Sequence, residues 1–447
     1  MIKYSYLFYP LLIIISVFIF LSHYIIAGQA VYGDGIGYYS YLYSIVIDGD
    51  IDTTNEYKHI YTPLNNNSLN PEMSPVVQIV KASKEGKVEN HFGMGVAILL
   101  TPFFISANAL SILLNFIGVH VPAQGYSDIY QIFTGIGAVF YTILGIYILD
   151  RLLFHFLKDS YVGKLTITAI FFATNLLYYG SFDVINSHFA SFFLSTLFFY
   201  ILFIYKNDIK KTASLGFITG FILSVRPQDA LVAVIWIIYA LNNYKKNNKY
   251  YKKFGKELLV FLLFAFLGSL ALVYNWTYTY GNPLNHPYLQ TTYRYMVNGK
   301  LRLLDSFFNT STGLLSTTPI LIIPLIYFIY LIFSKKASIQ IILLSIFFTL
   351  QYIMITLQGG WQAAAYGGRM YISTLPFFAF LLAGFLKTLT LRYGKRISLI
   401  MVSVFILLNL FNMARFLLFN KQTEGVSLGT EQRTKERLKY LIDELRF

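Results

Sequence analysis

Long apolar stretches recur along the chain and are separated by short polar connections. The first, near Leu7–Ile26, has the roughly 18–20 apolar residues that an α-helix needs to cross a bilayer, and Leu258–Tyr274 approaches that length. Further spans are predicted near Ile129–Leu149, Leu165–Tyr179, Phe189–Tyr205, Pro319–Phe333, Ile339–Leu357, Tyr371–Leu386 and Ile397–Leu410. The pattern predicts an all-α, polytopic membrane protein with about 11 transmembrane helices plus re-entrant or interfacial elements.

Two apolar stretches, 93–119 and 215–241, do not fit a single crossing. One crossing by either would move the later lysine-rich loops out of the cytoplasm, against the positive-inside rule. We therefore predict an even number of crossings in each, as a re-entrant element or as two short legs. Pro102 and Pro227 are the predicted break points, because proline removes a helix hydrogen bond.

Composition and charge support this class of protein. Of 447 residues, 56% are hydrophobic and only 13% are charged, about half the charge of a soluble domain, which excludes a soluble enzyme and a disordered chain. With the predicted topology, the net charge of +14 divides into +15 in cytoplasmic loops and −1 outside. The basic residues are thus explained by topology in an inner (cytoplasmic) membrane, and a nucleic-acid partner is not expected. The absence of cysteine excludes thiolate chemistry.

The predicted organisation is one transmembrane domain, residues 1–420, followed by a polar, helical, extracytoplasmic tail at 421–447. The N-terminal span is expected to remain as a signal anchor, because it is longer than the apolar region of a cleaved signal peptide. Residues 28–93 form a long extracytoplasmic loop with eight acidic residues and four lysines, in which we expect interfacial helices.

Polar residues that this topology gathers at the outer membrane face are the candidates for chemistry. Ionisable groups are costly at a membrane boundary and are often functional there. A carboxylate can act as a general base, and an arginine can bind phosphate through two parallel hydrogen bonds. We predict catalytic Asp34 and Asp183, donor-phosphate-binding Arg226 and Arg369, and substrate-binding His91, His188, Gln228, Trp361 and Gln362.

Each assignment has a structural alternative. Asp34 can cap the helix that follows it, either histidine can bond a backbone carbonyl, and either arginine can reach lipid headgroups. The aspartates at 48, 50 and 52 are not followed by a glycine-hinged calcium loop, so we interpret them as turn acids and predict no metal site.

Taken together, the motifs resemble the GT-C superfamily of membrane glycosyltransferases. The likeness consists of Asp34 soon after the first span, the Asn-His-Phe-Gly-Met-Gly sequence at 90–95, a helical pair broken at 224–227, and the Tyr-Gly-Gly-Arg-Met-Tyr sequence at 366–371 before Leu375-Pro376. It extends to about residue 410 as an ordered set of short motifs. The chain differs in having a single acid, Asp183, at its second acidic position.

The resemblance implies a hexosyl- or pentosyltransferase that uses a polyprenyl-phosphate sugar donor. The acceptor would be a hydroxyl of an extracytoplasmic glycan, lipid or protein, with Asp34 as base and Arg226 or Arg369 at the departing phosphate. No cofactor is predicted, and the residues do not support a divalent cation. Alternatives are a lipid-linked-saccharide flippase or transporter, which would have helices broken at the membrane midplane and inverted repeats, and an O-antigen polymerase or ligase.

Overall fold

The computed structural model describes residues 7–61, 86–244, 250–286, 289, 303–310, 312–358 and 366–419. Helices joined by short connections make up this part of the chain. In order, they are α1 (Phe8–Ala27), α2 (Asp34–Tyr43), α3 (Thr54–Tyr61), α4 (Gly95–Phe116), α5 (Asp128–Leu157), α6 (Ser160–Phe172), α7 (His188–Ile204), α8 (Ile209–Val225), α9 (Val232–Tyr244), α10 (Tyr250–Tyr280), α11 (Leu303–Phe308), α12 (Leu314–Thr317), α13 (Ile322–Phe333), α14 (Ile339–Gln358), α15 (Leu375–Tyr393) and α16 (Lys395–Phe419).

The apolar composition of these helices confirms the predicted polytopic membrane architecture. Within the described ranges, seven helices are long and apolar enough to cross a membrane: α1, α4, α5, α10, α14, α16, and α15 together with the 3-10 turn Arg369–Thr374 that precedes it. Shorter apolar helices cover Ser160–Phe172, His188–Ile204 and Pro319–Phe333. The predicted tail, 421–447, lies outside the described residues.

Contacts at both ends of α1 and α5 show that these two helices run antiparallel. Tyr24, near the end of α1, donates a hydrogen bond to Asp128 at the start of α5, at 2.5 Å. At the opposite end, Tyr9 donates to Asp150, which also lies 2.6 Å from the ammonium of Lys164. We call the first the Asp34 end of the bundle, because the chain leaves α1 there toward α2, and the second the basic end.

Helix α4 corrects the expectation of a break in the stretch 93–119. Residues 95–116 form one uninterrupted helix, so the predicted break at Pro102 is wrong. Proline is more frequent in membrane helices than in soluble ones, and α4 continues through Pro102 for about four further turns. Asn108 bonds Tyr130 in the first turn of α5 at 2.6 Å. Because Tyr24 and Asp128 also meet, the connection that follows α4 belongs to the Asp34 end, and the even number of crossings stays a prediction.

The stretch 215–241 forms two helical legs, one of the two arrangements that the sequence left open, and the break lies at Pro227 as predicted. α8 ends at Val225, a 3-10 turn covers Pro227–Leu231, and α9 then returns. The ammonium of Lys211 near the start of α8 lies 3.2 Å from the Tyr239 hydroxyl near the end of α9, so the legs are antiparallel. α10 runs parallel to α8 in close contact. A Cβ atom at Gly220 would lie 1.9 Å from the Ala265 carbonyl oxygen, so the backbones approach as only glycine allows.

Candidate functional site

Asp34 is the first residue of α2, and its side chain points toward Arg369, which is distant in sequence. Gly33 precedes it with φ +57°, a left-handed backbone that turns the chain into the helix. At Gly35, a Cβ would lie 2.5 Å from the Ile185 carbonyl oxygen, so α2 packs directly on the connection before α7. In this position the Asp34 carboxylate accepts a hydrogen bond from Arg369 Nη1 at 3.0 Å.

Arg369 is aimed at Asp34 by a tight reversal of the chain. Gly367 and Gly368 both have left-handed backbones, with φ +63° and +60°, and a Cβ at Gly368 would lie 2.9 Å from the Cα of Leu314 in α12. The 3-10 turn then begins at Arg369 itself. The arginine side chain is 19% exposed and that of Asp34 is 41% exposed, so the ion pair is open to solvent on the Asp34 side.

Asp183 lies beside this ion pair, in the connection that follows the π-helical turn Tyr178–Phe182. Burial raises the pKa of its carboxyl to about 7, the charge of Asp34 acts in the same direction, and the charge of Arg369 opposes both. The hydroxyl of Tyr32, just before α2, is also next to Asp183. The structure therefore brings both predicted catalytic carboxylates to one arginine.

Arg226 lies at the end of α8, and its contacts reach the residue after Arg369. Its Nη1 donates to His188 Nδ1 at 3.2 Å, and its Nη2 lies 2.7 Å from the sulfur of Met370. Gln228 donates from Nε2 to the Met370 carbonyl at 3.5 Å. His188 begins α7, only five residues after Asp183. Arg226 and Gln228 from one segment and His188 from another thus gather at Met370, the residue after Arg369.

The two arginines differ in their partners. Arg369 is paired with Asp34, whereas Arg226, which is 8% exposed, forms no ion pair within 4.0 Å with any residue in the described ranges. Its direct partners are a neutral thioether and an imidazole nitrogen that accepts its hydrogen bond. Arg226 is thus the buried cation with donor groups left for an anion.

Asp229 is a member of this site that the sequence analysis did not select. It is 1% exposed and accepts hydrogen bonds from Ser191 and from Gln351 Nε2, the latter at 3.1 Å. It also interacts electrostatically with Arg226. The sequence feature that could have identified it is its position three residues after Arg226, because an isolated charge in a membrane protein requires a counter-charge. Its negative charge offsets that of Arg226, and its oxygens accept hydrogen bonds from α7 and α14.

His91 stands on the α10 side of this region. Its Nδ1 lies 3.4 Å from the Tyr280 hydroxyl, and its Nε2 is 4.0 Å from a Glu89 oxygen. The neighbouring Asn90 connects it to α2 by donating to the Gly37 carbonyl at 2.9 Å. Trp361 and Gln362, the other predicted substrate-binding residues, lie outside the described residues.

The predicted turn acids of the first loop accept hydrogen bonds from their own segment, and Asp52 also accepts one from the Tyr278 hydroxyl of α10 at 3.3 Å. Asp48 accepts a hydrogen bond from Asn55 at 2.7 Å, while Asp50 and Asp52 accept backbone N–H groups at 3.0 Å. Among the residues that the structure describes, no group of three or more histidine, aspartate or glutamate side chains is arranged to hold a metal ion. The prediction that the reaction needs no metal remains a prediction.

Comparison with solved structures finds the same type of helix bundle in an archaeal oligosaccharyltransferase from Archaeoglobus fulgidus. In its apo form the TM-score is 0.50 at 11% sequence identity, and the match covers 97% of this chain but 56% of that one. For the same organism's AglB in complex with an inhibitory peptide and a dolichol-phosphate, the TM-score is 0.49 at 10% identity, with the same coverage. No protein-family model matches the sequence, and no curated protein matches it. The similarity is therefore one of fold, and this chain spans just over half the length of those proteins.

Proposed function

We propose that the protein is a membrane glycosyltransferase that moves a sugar from a polyprenyl-phosphate donor to a hydroxyl group of an extracytoplasmic acceptor. The observation that carries this proposal is the convergence of Asp34, Asp183, Arg226 and Arg369 around positions 369–370. The fold shared with an oligosaccharyltransferase supports the same class of reaction, and a dolichol-phosphate is bound to one such neighbour.

The site contains the groups that such a transfer needs. The acceptor oxygen forms a bond to the anomeric carbon, the bond from that carbon to the phosphate oxygen breaks, and the hydroxyl proton passes to a carboxylate. Asp183, with its pKa near neutrality, is suited to accept that proton, and Asp34 is the second candidate once it separates from Arg369. The electron pair leaves with polyprenyl phosphate.

Arg226 is the group that we assign to the departing phosphate. It is buried, it has no carboxylate within ion-pair distance among the described residues, and its guanidinium can donate two parallel hydrogen bonds. Arg369 is assigned to orient Asp34 and to share the charge of the phosphate when the substrate enters. Fixed donors of this kind act most strongly where water is excluded.

The test is transfer by purified protein from a polyprenyl-phosphate sugar to an acceptor hydroxyl, without ATP or nucleotide sugar. We expect Asp183→Asn to lower kcat by about 10²–10⁴-fold, the range for loss of a general base, and a loss of that size in Asp34→Asn alone would assign the base to Asp34 instead. Arg226→Lys keeps the charge but loses the paired donors, and should lower kcat by about 10²–10³-fold.

Asp50→Asn is the matched control, because Asp50 is an exposed acid of the same loop, and it should retain wild-type turnover. Lipid movement across vesicles with no new glycosidic bond would favour a flippase instead. Wild-type rates in both site variants, Asp34→Asn and Asp183→Asn, would remove the carboxylates from the mechanism.

A further inference from the structure

A cluster of exposed cations occupies the basic end of the bundle, far from the candidate site. It comprises Arg151, Lys158, Arg392, Lys395 and Arg396, and we call it the cationic patch. Arg151 lies in the last turns of α5, Lys158 lies between α5 and α6, and the other three lie where α15 meets α16. Two hydrogen bonds join these two connections. Tyr161 in α6 donates to the Lys395 carbonyl at 2.9 Å, and Lys387 in α15 donates to the Leu157 carbonyl at 3.2 Å.

The charge of the cationic patch is not balanced by nearby acids. Asp150 is 2.6 Å from Lys164, and Asp159 accepts the backbone N–H of Val162 as the cap of α6. In the described part of the chain, none of the five cations of the patch is in an ion pair within 4.0 Å. The first turn of α16 contains no acid and begins with Lys395 and Arg396.

Exposed apolar side chains of α15 and α16 lie next to the cationic patch in the sequence. Leu391 is 78% exposed, Ile397 47% and Ile400 58%. A ligand that binds both the cations and the apolar side chains must combine an anionic group with an apolar chain. A free phosphate ion would pair with the cations but would leave the apolar side chains exposed.

We propose that the cationic patch binds the headgroup of an anionic phospholipid, whose acyl chains lie along Leu391 and Ile397. A basic residue at a membrane surface strengthens binding to anionic lipid by about fivefold. The positive-inside rule accounts for basic loops in general, but it predicts no difference between one basic connection and another. The proposal predicts such a difference.

The experiment measures the thermal unfolding midpoint of the purified full-length protein in neutral detergent during titration with dioctanoyl phosphatidylglycerol. Dioctanoyl phosphatidylcholine and inorganic phosphate are titrated in parallel. Lys395→Gln/Arg396→Gln removes two cations of the patch, and Lys335→Gln/Lys336→Gln removes two exposed lysines from the connection between α13 and α14 as the matched control. Arg151→Gln/Lys158→Gln removes the two cations of the patch that lie at the end of α5.

We expect each patch double variant to weaken the apparent affinity for phosphatidylglycerol about 25-fold, with the control within twofold of wild type. Phosphatidylcholine and phosphate should give no saturable shift. All variants should unfold at the wild-type midpoint without lipid, because the altered side chains are exposed. Equal losses in patch and control variants, no loss in either patch variant, or equal stabilisation by inorganic phosphate would overturn the proposal. None of these outcomes depends on glycosyl transfer.

Discussion

At the scale of single residues, the site is defined by which charges are paired. Arg369 and Asp34 form an ion pair at 3.0 Å, so each offsets the charge of the other. Arg226 and Asp183 have no such pairing within 4.0 Å among the described residues. Asp229 compensates for Arg226 while Ser191 and Gln351 hold its oxygens. Arg369 and Asp34 thus form a direct ion pair, whereas Arg226 and Asp183 have neutral hydrogen-bond partners and more distant charges.

The pKa of Asp183 gives the first prediction at this scale. A base must be deprotonated to act, and burial raises its pKa to about 7, so kcat/KM should increase with pH through about 7. Arg369 holds that pKa down, and Arg369→Gln should therefore move the rising limb to higher pH. The measurement is a pH profile of kcat/KM. Lys336→Gln, at the basic end, should leave the limb in place, and a wild-type profile that is flat between pH 5 and 9 would contradict the assignment.

At the scale of elements, short connections position the site while close helix packing supports them. The left-handed glycines before Arg369 and the proline turn after Arg226 each direct an arginine toward the same place. α8 carries Arg226 at its end and is held against α10 through backbone contact at Gly216 and Gly220. Small residues allow such approach between membrane helices, where dispersion and backbone contacts replace the hydrophobic effect.

A pair of glycine substitutions tests this packing. Gly220→Ala should destabilise the protein by about 1–3 kcal/mol, because its Cβ would lie 1.9 Å from the Ala265 carbonyl oxygen. Gly255→Ala, in α10, has nothing within 4 Å and should be neutral or stabilising by up to about 1 kcal/mol through helix propensity. The measurement is the thermal unfolding midpoint in detergent. Equal midpoints for the two variants would show that the α8–α10 contact is not close.

At the scale of the whole molecule, the basic connections and the candidate site lie at opposite ends of the bundle. The candidate site is at the Asp34 end, whereas the connections with Lys158, Lys336 and Lys395 are at the other. Basic loops remain cytoplasmic in most membrane proteins, so this separation supports a site that faces away from the cytoplasm.

Single cysteines test this orientation without background, because the chain has no cysteine. Gln124→Cys, between α4 and α5, should react with a membrane-impermeant thiol reagent in intact cells. Lys336→Cys, between α13 and α14, should react only after permeabilisation. Labelling of Lys336→Cys alone in intact cells would reverse the orientation, and labelling of both would show that the two ends are not separated by the membrane.

The sequence by itself determined the class of protein, most of the helices and the break at Pro227. These features depend on local composition, since about twenty apolar residues form a membrane helix wherever they occur. It also selected Asp34, Asp183, Arg226 and Arg369, because charged residues are costly in a membrane protein and are often functional there.

Only the tertiary structure decided how those residues are combined. Asp34 and Arg369 are 335 positions apart, and their pairing depends on how α2 packs against the connection before α7. The same holds for the buried Asp229, whose role is set by contacts with α7 and α14. The continuity of α4 through Pro102 was missed for a related reason, because the groups that compensate a proline depend on the folded surroundings. Local pattern sets the elements, whereas packing between distant segments sets the distances on which chemistry depends.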